Sequence, residues 1–300
     1  MAYNYHIFQC NILSDIAISF LKTSKKIHSH TDIEITEDKS LLNDLIKFKK
    51  GKINYYETNL KNTQIYIKNI ALFNINKNGV SIKYILQDKA DMSSFYSKLL
   101  NHVVPYALYM QKKCVLHASG VAFDKNGFIF IGESGAGKSS LAASLKEMSF
   151  ACEDSAYIEV KKDTNDLFLI PSFNIVKLDS RIHEILKLES NKITDIKIDK
   201  LNRSLYQVEN FLKHKVKLKR CYILSWGEEF KIIKVNNKNV FSYLYSSIFG
   251  PHPFNSCKES ELFIYENVLR VMKNVEFYML YRNKDSLFSN NADIISHIKK

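Results

Sequence analysis

The sequence predicts an α/β protein preceded by a small, mainly β N-terminal domain, and three observations carry that prediction. From about residue 95 onward, short apolar β-type runs alternate with helix-forming runs, the pattern of an α/β domain. Five of the nine glycines fall in one window, Gly120 to Gly137, between an apolar run and a helix-forming one. A chain that avoids glycine elsewhere and concentrates it here needs backbone freedom here. Residues 1–91 instead hold β-type runs separated by Asn- and Lys-rich turns.

Composition bounds what such a chain can do. Its 300 residues suit two modest domains, and 46% hydrophobic with 12% aromatic residues suffices for a core without metals or disulfides. The formal charge is +12, yet only five of the 43 basic residues are arginines: Arg181, Arg203, Arg220, Arg270 and Arg282. Nucleic-acid readers lean on arginine forks. A Lys-rich, Arg-poor excess reads as a solvated surface that attracts anions, such as a nucleotide or an acidic peptide. No nucleic-acid partner is expected. The five cysteines are odd in number and form no C-x-x-C pair, so they read as reduced thiols of a cytoplasmic protein. The start MAYNYHIFQC lacks the apolar run of a signal peptide, and no stretch approaches membrane-spanning length. No membrane partner is expected either.

The elements follow in order. In the N-terminal domain, Asp32–Thr36, Gln64–Ile70 and Gly79–Leu86 read as strands. The second domain, residues 92–300, opens with an amphipathic helix over Met92–Lys112, with Leu99, Val103, Ala107 and Met110 near helical spacing. Pro105 should kink it. A strand Cys114–Phe123 and a turn Asp124–Gly127 lead to an apolar strand, Phe128–Ile131, that runs into the glycine loop. A helix Lys138–Met148 and a strand Phe150–Val160 come next. Arg181–Leu188 and Ser260–Met272 read as helices, Cys221–Trp226 and Val275–Tyr281 as buried strands.

Gly132-Glu133-Ser134-Gly135-Ala136-Gly137-Lys138-Ser139 fits G-x-x-x-x-G-K-[ST] at every position, with the strand before and the helix after that the motif requires. Each residue type has a chemical reason. Glycines let successive backbone N–H groups turn inward around phosphate oxygens, and the N-terminus of the following helix, through Ser140, adds further unpaired N–H groups. Lys138 places a positive charge on the β- and γ-phosphates, and the Ser139 hydroxyl ligates magnesium. The loop therefore predicts binding of a nucleoside triphosphate, ATP, with Mg²⁺. Beyond the loop helix, Glu153-Asp154 offers carboxylates where phosphoryl-transfer proteins hold magnesium or orient the nucleophile. The alternative is a solvated acidic turn. His117 lies in the neighbouring strand, where a lone histidine is more often structural.

Leu116-His117-Ala118-Ser119-Gly120-Val121-Ala122, the loop FIFIGESGAGKSSLAASL and the pair Glu153-Asp154 together resemble the catalytic domain of HPr kinase/phosphorylase. They resemble still more its shorter relatives, the serine kinases that tailor lasso precursor peptides. Pro171-Ser172-Phe173-Asn174-Ile175-Val176-Lys177-Leu178 and the late strand Val275–Leu280 also resemble segments of those relatives. The likeness covers roughly residues 95 to 290 and is specific only around His117, the loop and the acidic pair. It implies a mixed-sheet P-loop kinase domain of the HPr kinase/phosphoenolpyruvate-carboxykinase type, and it implies a functional His117. The family's acidic pair is Asp-Asp, with the first member acting as the base. Glu153 stands there instead, its carboxylate displaced by about an ångström, a misplacement that can cost ~10²-fold in rate. The base is therefore open between Glu153 and Asp154.

Other motifs have plainer readings. Lys213, Lys215, Lys217 and Lys219 alternate, as on a solvated or edge-guarding strand face. Docking of an acidic peptide is the alternative. Phe249-Gly250-Pro251-His252-Pro253-Phe254 reads as a rigid aromatic turn. Arg181, Arg203, Arg220 and Arg282 are each candidate transition-state cations. The expected activity is transfer of the γ-phosphoryl group of ATP to a hydroxyl, a serine of a lasso-type precursor peptide or small protein. Lys138 and Gly132–Ser140 would hold the nucleotide, Ser139 and Asp154 the metal, and Glu153 or Asp154 with His117 would serve the acceptor. A nucleotide-gated regulatory protein and a small-metabolite kinase are the alternatives. Related enzymes form homo-oligomers, but nothing in the residues fixes a number.

Overall fold

A computed structural model describes residues 2–24, 30–49, 54–58, 62–161, 163–187, 192–195, 203–236, 239–249 and 258–300. It divides into two compact units: the first runs to Lys113 and also takes in Thr194, Asp195 and Arg203, and the second begins at Cys114. Both are mixed α/β, and each carries a mixed sheet.

The first unit contains β1 (Tyr3–Ile7), β2 (Cys10–Ser14), β3 (Ile33–Glu37), α1 (Leu42–Lys49), β4 (Asn54–Thr58), β5 (Asn62–Ile67), β6 (Ala71–Asn76) and β7 (Ser81–Leu86). The strands form one sheet of order β1-β2-β3-β7-β6-β5-β4. Alternation along β6 and β7 sends neighbouring side chains to opposite faces. Leu72 and Ile85 pack with Leu41, Leu45 and Phe48 of the α1 region. Phe73 and Tyr84 meet Phe95, with Phe73 and Phe95 stacked at 5.5 Å. Phe95 belongs to the long helix expected to open the second domain, and that helix lies within the first unit. The helix's apolar stripe is buried on this sheet, which spacing alone cannot assign to a domain.

That helix is not uniform. α2 (Met92–Lys98) passes through a π turn, Leu99–Val103, into α3 (Val104–Met110). The Val104 N–H reaches back to the Leu99 carbonyl. The wider turn comes immediately before Pro105, which has no N–H to donate and whose ring crowds the preceding turn. The expected kink is a π bulge.

In the second unit, β8 (Cys114–Leu116), β9 (Ser119–Phe123), β10 (Asn126–Ile131), α4 (Lys138–Ser144), β11 (Ser149–Cys152), β12 (Ala156–Val160), β13 (Leu167–Ile170), β14 (Ile175–Asp179) and α5 (Ser180–Leu186) come first. They are followed in the chain by β15 (Lys192–Asp195), which is divided between the two units after Ile193, and by β16 (Arg203–Gln207), whose first residue belongs to the first unit. Then come β17 (Val216–Trp226), β18 (Lys231–Lys234), α6 (Phe241–Ser247), α7 (Lys258–Asn274), β19 (Glu276–Arg282) and α8 (Asn291–Lys299). The main sheet has the order β11-β9-β10-β17-β13-β12-β8, with β19 also on β17 and β18 on β19. β14, β16 and β15 make a separate small sheet. β10, β17 and β19 are parallel, pairing Ile131 with Ile223 and Trp226 with Arg282. Their carboxyl ends therefore lie at one end of the sheet, where open α/β sheets place ligands. Leu141 and Ala142 of α4, Leu145 just past its end, and Ile294 and Ile298 of α8 bury against Phe130, Tyr222 and Leu280 of these strands.

Two strands expected to be continuous are broken, and at the same place. The run expected over Cys114–Phe123 divides at His117-Ala118, and the run Phe150–Val160 divides at residues 153–155. The halves pair separately: β9 with β11, and β8 with β12, Leu116 opposite Ala156. β9 continues to β10, while β12 continues to β13. The sheet thus splits, and the split falls where Ser119 pairs with Phe130, one residue short of the end of β10. The loop helix is shorter than expected, ending at Ser144 where the sequence pattern suggested Met148. Apart from Phe249, the aromatic run 249–254 lies outside the described residues.

Candidate functional site

The glycine loop leaves the end of β10 and bends at its three glycines, all with positive φ: Gly132 (148°), Gly135 (84°) and Gly137 (80°). At Gly132 a side chain would meet the Leu224 carbonyl at 2.9 Å, so the residue must be glycine for space as well as for angle. Around Gly135 nothing lies within 4 Å, which leaves that stretch of backbone open. Glu133, Ser134 and Gly135 are exposed, whereas Ala136 is buried and donates its N–H to the Glu133 carbonyl at 3.1 Å.

Lys138 begins α4 and is only 6% exposed. Its ammonium donates to the carbonyls of Gly132 (2.9 Å) and Glu133 (3.2 Å), folding back across the mouth of the loop. Burial holds its pKa below the usual lysine value, and the charge of Asp154 partly offsets that. Ser139, next on α4, faces the Ser119 hydroxyl at 3.4 Å. Ser140 is half-buried in the first turn.

The split in the sheet supplies the rest. Asp154 takes a left-handed backbone (φ 53°), a conformation that turns the chain out of β11 before β12 begins. Its carbonyl is 2.9 Å from His117 Nδ1, so the two strand breaks are tied together. A carbonyl oxygen only accepts, so Nδ1 carries the hydrogen and Nε2 keeps its lone pair. Burial depresses the His117 pKa, opposed by the Asp154 charge and assisted by Lys138. The imidazole is therefore neutral near pH 7. Its backbone N–H donates to the Ser247 carbonyl, and its ring meets Phe249 edge-on at 6.1 Å. The Asp154 carboxylate pairs with Lys177 Nζ at 3.1 Å, both side chains largely buried.

These contacts sort the expected residues. His117, Lys138, Ser139 and Asp154 come together at the loop. Glu153, weighed with Asp154 as the base, is fully buried, and the carboxylate acting on Lys138 and His117 is that of Asp154. The core encloses Glu153, while the Asp154 side chain reaches Lys177. Lys177 was not singled out by sequence, although a lone lysine in the apolar strand Ile175-Val176-Lys177-Leu178 is a usable signal. Among the four weighed arginines, Arg181 pairs with Asp179 and Arg220 with Glu276, while Arg203 opens β16. Arg282 hydrogen-bonds the loop, at the Ala136 carbonyl. Of the alternating lysines, Lys215 pairs with Glu159 and Lys217 with Asp166 at 2.7 Å, the paired and solvated face that their spacing suggests.

A cleft of about 210 Å³ borders the loop, lined by Ser134, Leu224, Trp226, Tyr243 and Met279. Among the described residues no group of three His, Cys, Asp or Glu side chains is placed to hold a metal by itself. Ser139 and Asp154 nevertheless offer hard oxygen donors. Magnesium suits such a set, because it commonly takes one or two protein oxygens and completes its shell with phosphate and water.

Fold and site together define a mixed α/β protein with a G-x-x-x-x-G-K-S loop at the carboxyl ends of parallel strands. No protein-family profile and no curated protein matches the chain. Among solved structures it is similar to the Hpr(Ser) kinase/phosphatase from Coxiella burnetii, at 13% identity and a TM-score of 0.32 over 62% of this chain and 88% of that chain. A superposition that loose bears no weight for fold or activity. Among the described residues no helix is long and apolar enough to cross a membrane.

Proposed function

We propose that this chain binds Mg-ATP at Gly132–Ser140 and transfers the γ-phosphoryl group to a hydroxyl, a serine of a peptide or small protein. The observation that carries the reading is the meeting of the complete glycine loop, Lys138, His117 and Asp154 at one end of the parallel strands. Phosphoryl transfer asks mainly for positioning and charge neutralisation, and these residues supply both. Lys138 exchanges the Gly132 and Glu133 carbonyls for phosphate oxygens. The amides of Gly135 and Gly137 line the same cradle. Ser139 and Asp154 would hold magnesium, which when bound neutralises charge on the β- and γ-oxygens.

One oxygen of Asp154 would hold the metal and the other would take the acceptor's proton, with Lys177 orienting the carboxylate. His117 anchors the Asp154 backbone through Nδ1 and keeps Nε2 as an acceptor. Calorimetry with Mg-ATP and Mg-GTP, followed by labelled ATP with a panel of serine peptides, tests the reading. Lys138→Ala should weaken Mg-ATP binding by roughly ten- to a hundredfold, the worth of a charged hydrogen bond in a shielded site. Unchanged affinity in that variant removes the loop from nucleotide binding.

The Lys177–Asp154 ion pair favours one second reading, a nucleotide-gated regulatory protein whose carboxylate is engaged structurally. Binding without transfer or hydrolysis, persisting in Lys177→Met, would select it.

A further inference from the structure

We propose that Arg282 is the second cation of the nucleotide site, a positioning residue that holds the Ala136–Gly137 turn and whose charge the bound polyphosphate neutralises. The inference rests on the nucleotide-binding reading above and deepens it.

Arg282 ends β19 opposite Trp226, at the level of the loop, and is 4% exposed. Its Nη2 donates to the Ala136 carbonyl. The same nitrogen lies 3.0 Å from where a Cβ on Gly137 would stand, so a side chain there would displace it. The guanidinium sits 4.9 Å from the centre of the Trp226 ring. Among the described residues its Nε finds no hydrogen-bond partner, and no carboxylate among them lies within 4.0 Å. Burial alone lowers its pKa, to about 10, with no neighbouring charge opposing. The contrast with Arg220 is instructive. That side chain is similarly buried, at 7% exposed, but has Glu276 at 3.0 Å and the His297 carbonyl.

A buried cation without a counter-charge destabilises the chain that holds it. Placed under a phosphate loop, the same charge becomes favourable once an anion arrives, because a low-dielectric site strengthens its attraction. The indole face supplies a partial substitute in the meantime. Arg282 therefore acts on the ligand through the loop carbonyl and through its field.

Arg282→Met and Arg282→Lys separate this role from a structural one. The expected result for Arg282→Met is an unfolding midpoint, without ligand, equal to or above that of the parent chain, since an apolar side chain replaces an uncompensated charge. Calorimetry should show Mg-ATP binding weakened roughly tenfold or more, AMP binding less so, and part of the loss restored in Arg282→Lys. Trp226 is the only tryptophan, so its emission reports the same site, and its response to Mg-ATP should diminish in Arg282→Met. Parent-like Mg-ATP affinity in Arg282→Met overturns the proposal. So does an equal loss for every nucleotide accompanied by a lowered midpoint that Arg282→Lys does not restore. A parent chain that binds no nucleotide at millimolar concentration overturns the nucleotide reading itself, which a failure of the Arg282 variants alone does not.

Discussion

His117 Nδ1 spends its hydrogen on the Asp154 carbonyl, and that one bond sets how the site should respond to acid. Burial keeps the folded-state pKa below the ordinary 6.5. As pH falls, the unfolded chain binds the proton first, so stability present above that value is lost progressively down to the depressed pKa. The parent chain's urea midpoint should fall between about pH 7.5 and about pH 5.5, and His117→Gln should show a shallower fall. His297 is depressed in the same direction, and the difference between the two proteins removes its contribution. Identical slopes would show that His117 does not carry the effect. At this scale Lys138, Ser139 and the loop glycines are legible in sequence, because their motif is written in consecutive residues. That Glu153 is enclosed while the Asp154 carboxylate meets Lys177 is not. It depends on which of two adjacent carboxylates faces the core, and that is settled by the left-handed turn at Asp154 and by strands elsewhere in the chain.

Elements behave as their neighbours permit. The strands expected over 114–123 and 150–160 are read correctly as β-type, yet each changes partner midway, and apolar periodicity has no means of recording a change of partner. The break costs ladder hydrogen bonds, and His117 with Asp154 recovers one of them. In the first unit, the turn before β7 presses on α3 so closely that a Cβ on Gly79 would lie 2.1 Å from the Ala107 carbonyl. The glycine also sits at φ 69°. Strain and overpacking then add, and Gly79→Ala should lose about 3 kcal/mol in urea unfolding. A loss below about 0.5 kcal/mol, the size of an ordinary surface substitution, would show that the turn and α3 separate easily. The π turn before Pro105 belongs to the same scale. Proline forecasts a disturbance, whereas the widened turn is its resolution within a packed helix.

At the scale of the whole molecule, a ligand that binds only the folded state raises its stability by mass action. Mg-ATP at a hundred times its dissociation constant should add about 2.7 kcal/mol to the unit that carries the loop. A thermal melt with and without Mg-ATP checks this, and the upward shift should vanish in Lys138→Ala. A shift that survives in the variant would place the nucleotide elsewhere. The α/β character of the second unit is legible from alternation. Which sheet buries the helix 92–110 is not, because the helix is equally amphipathic either way, and Phe95 docks on Phe73.

By itself the sequence determined what is local: the glycine loop with its lysine and serine, the strand before it, the helix after it and the general α/β alternation. Those depend on contacts between residues a few positions apart, which the order of the chain specifies directly. Tertiary structure alone decided that Asp154 pairs with Lys177 and acts on Lys138, that Glu153 is interior, and that Arg282 lies under Ala136. The last of these joins positions 146 residues apart. Such contacts depend on strand register and on which side chains the core can enclose, and both are properties of the assembled sheet.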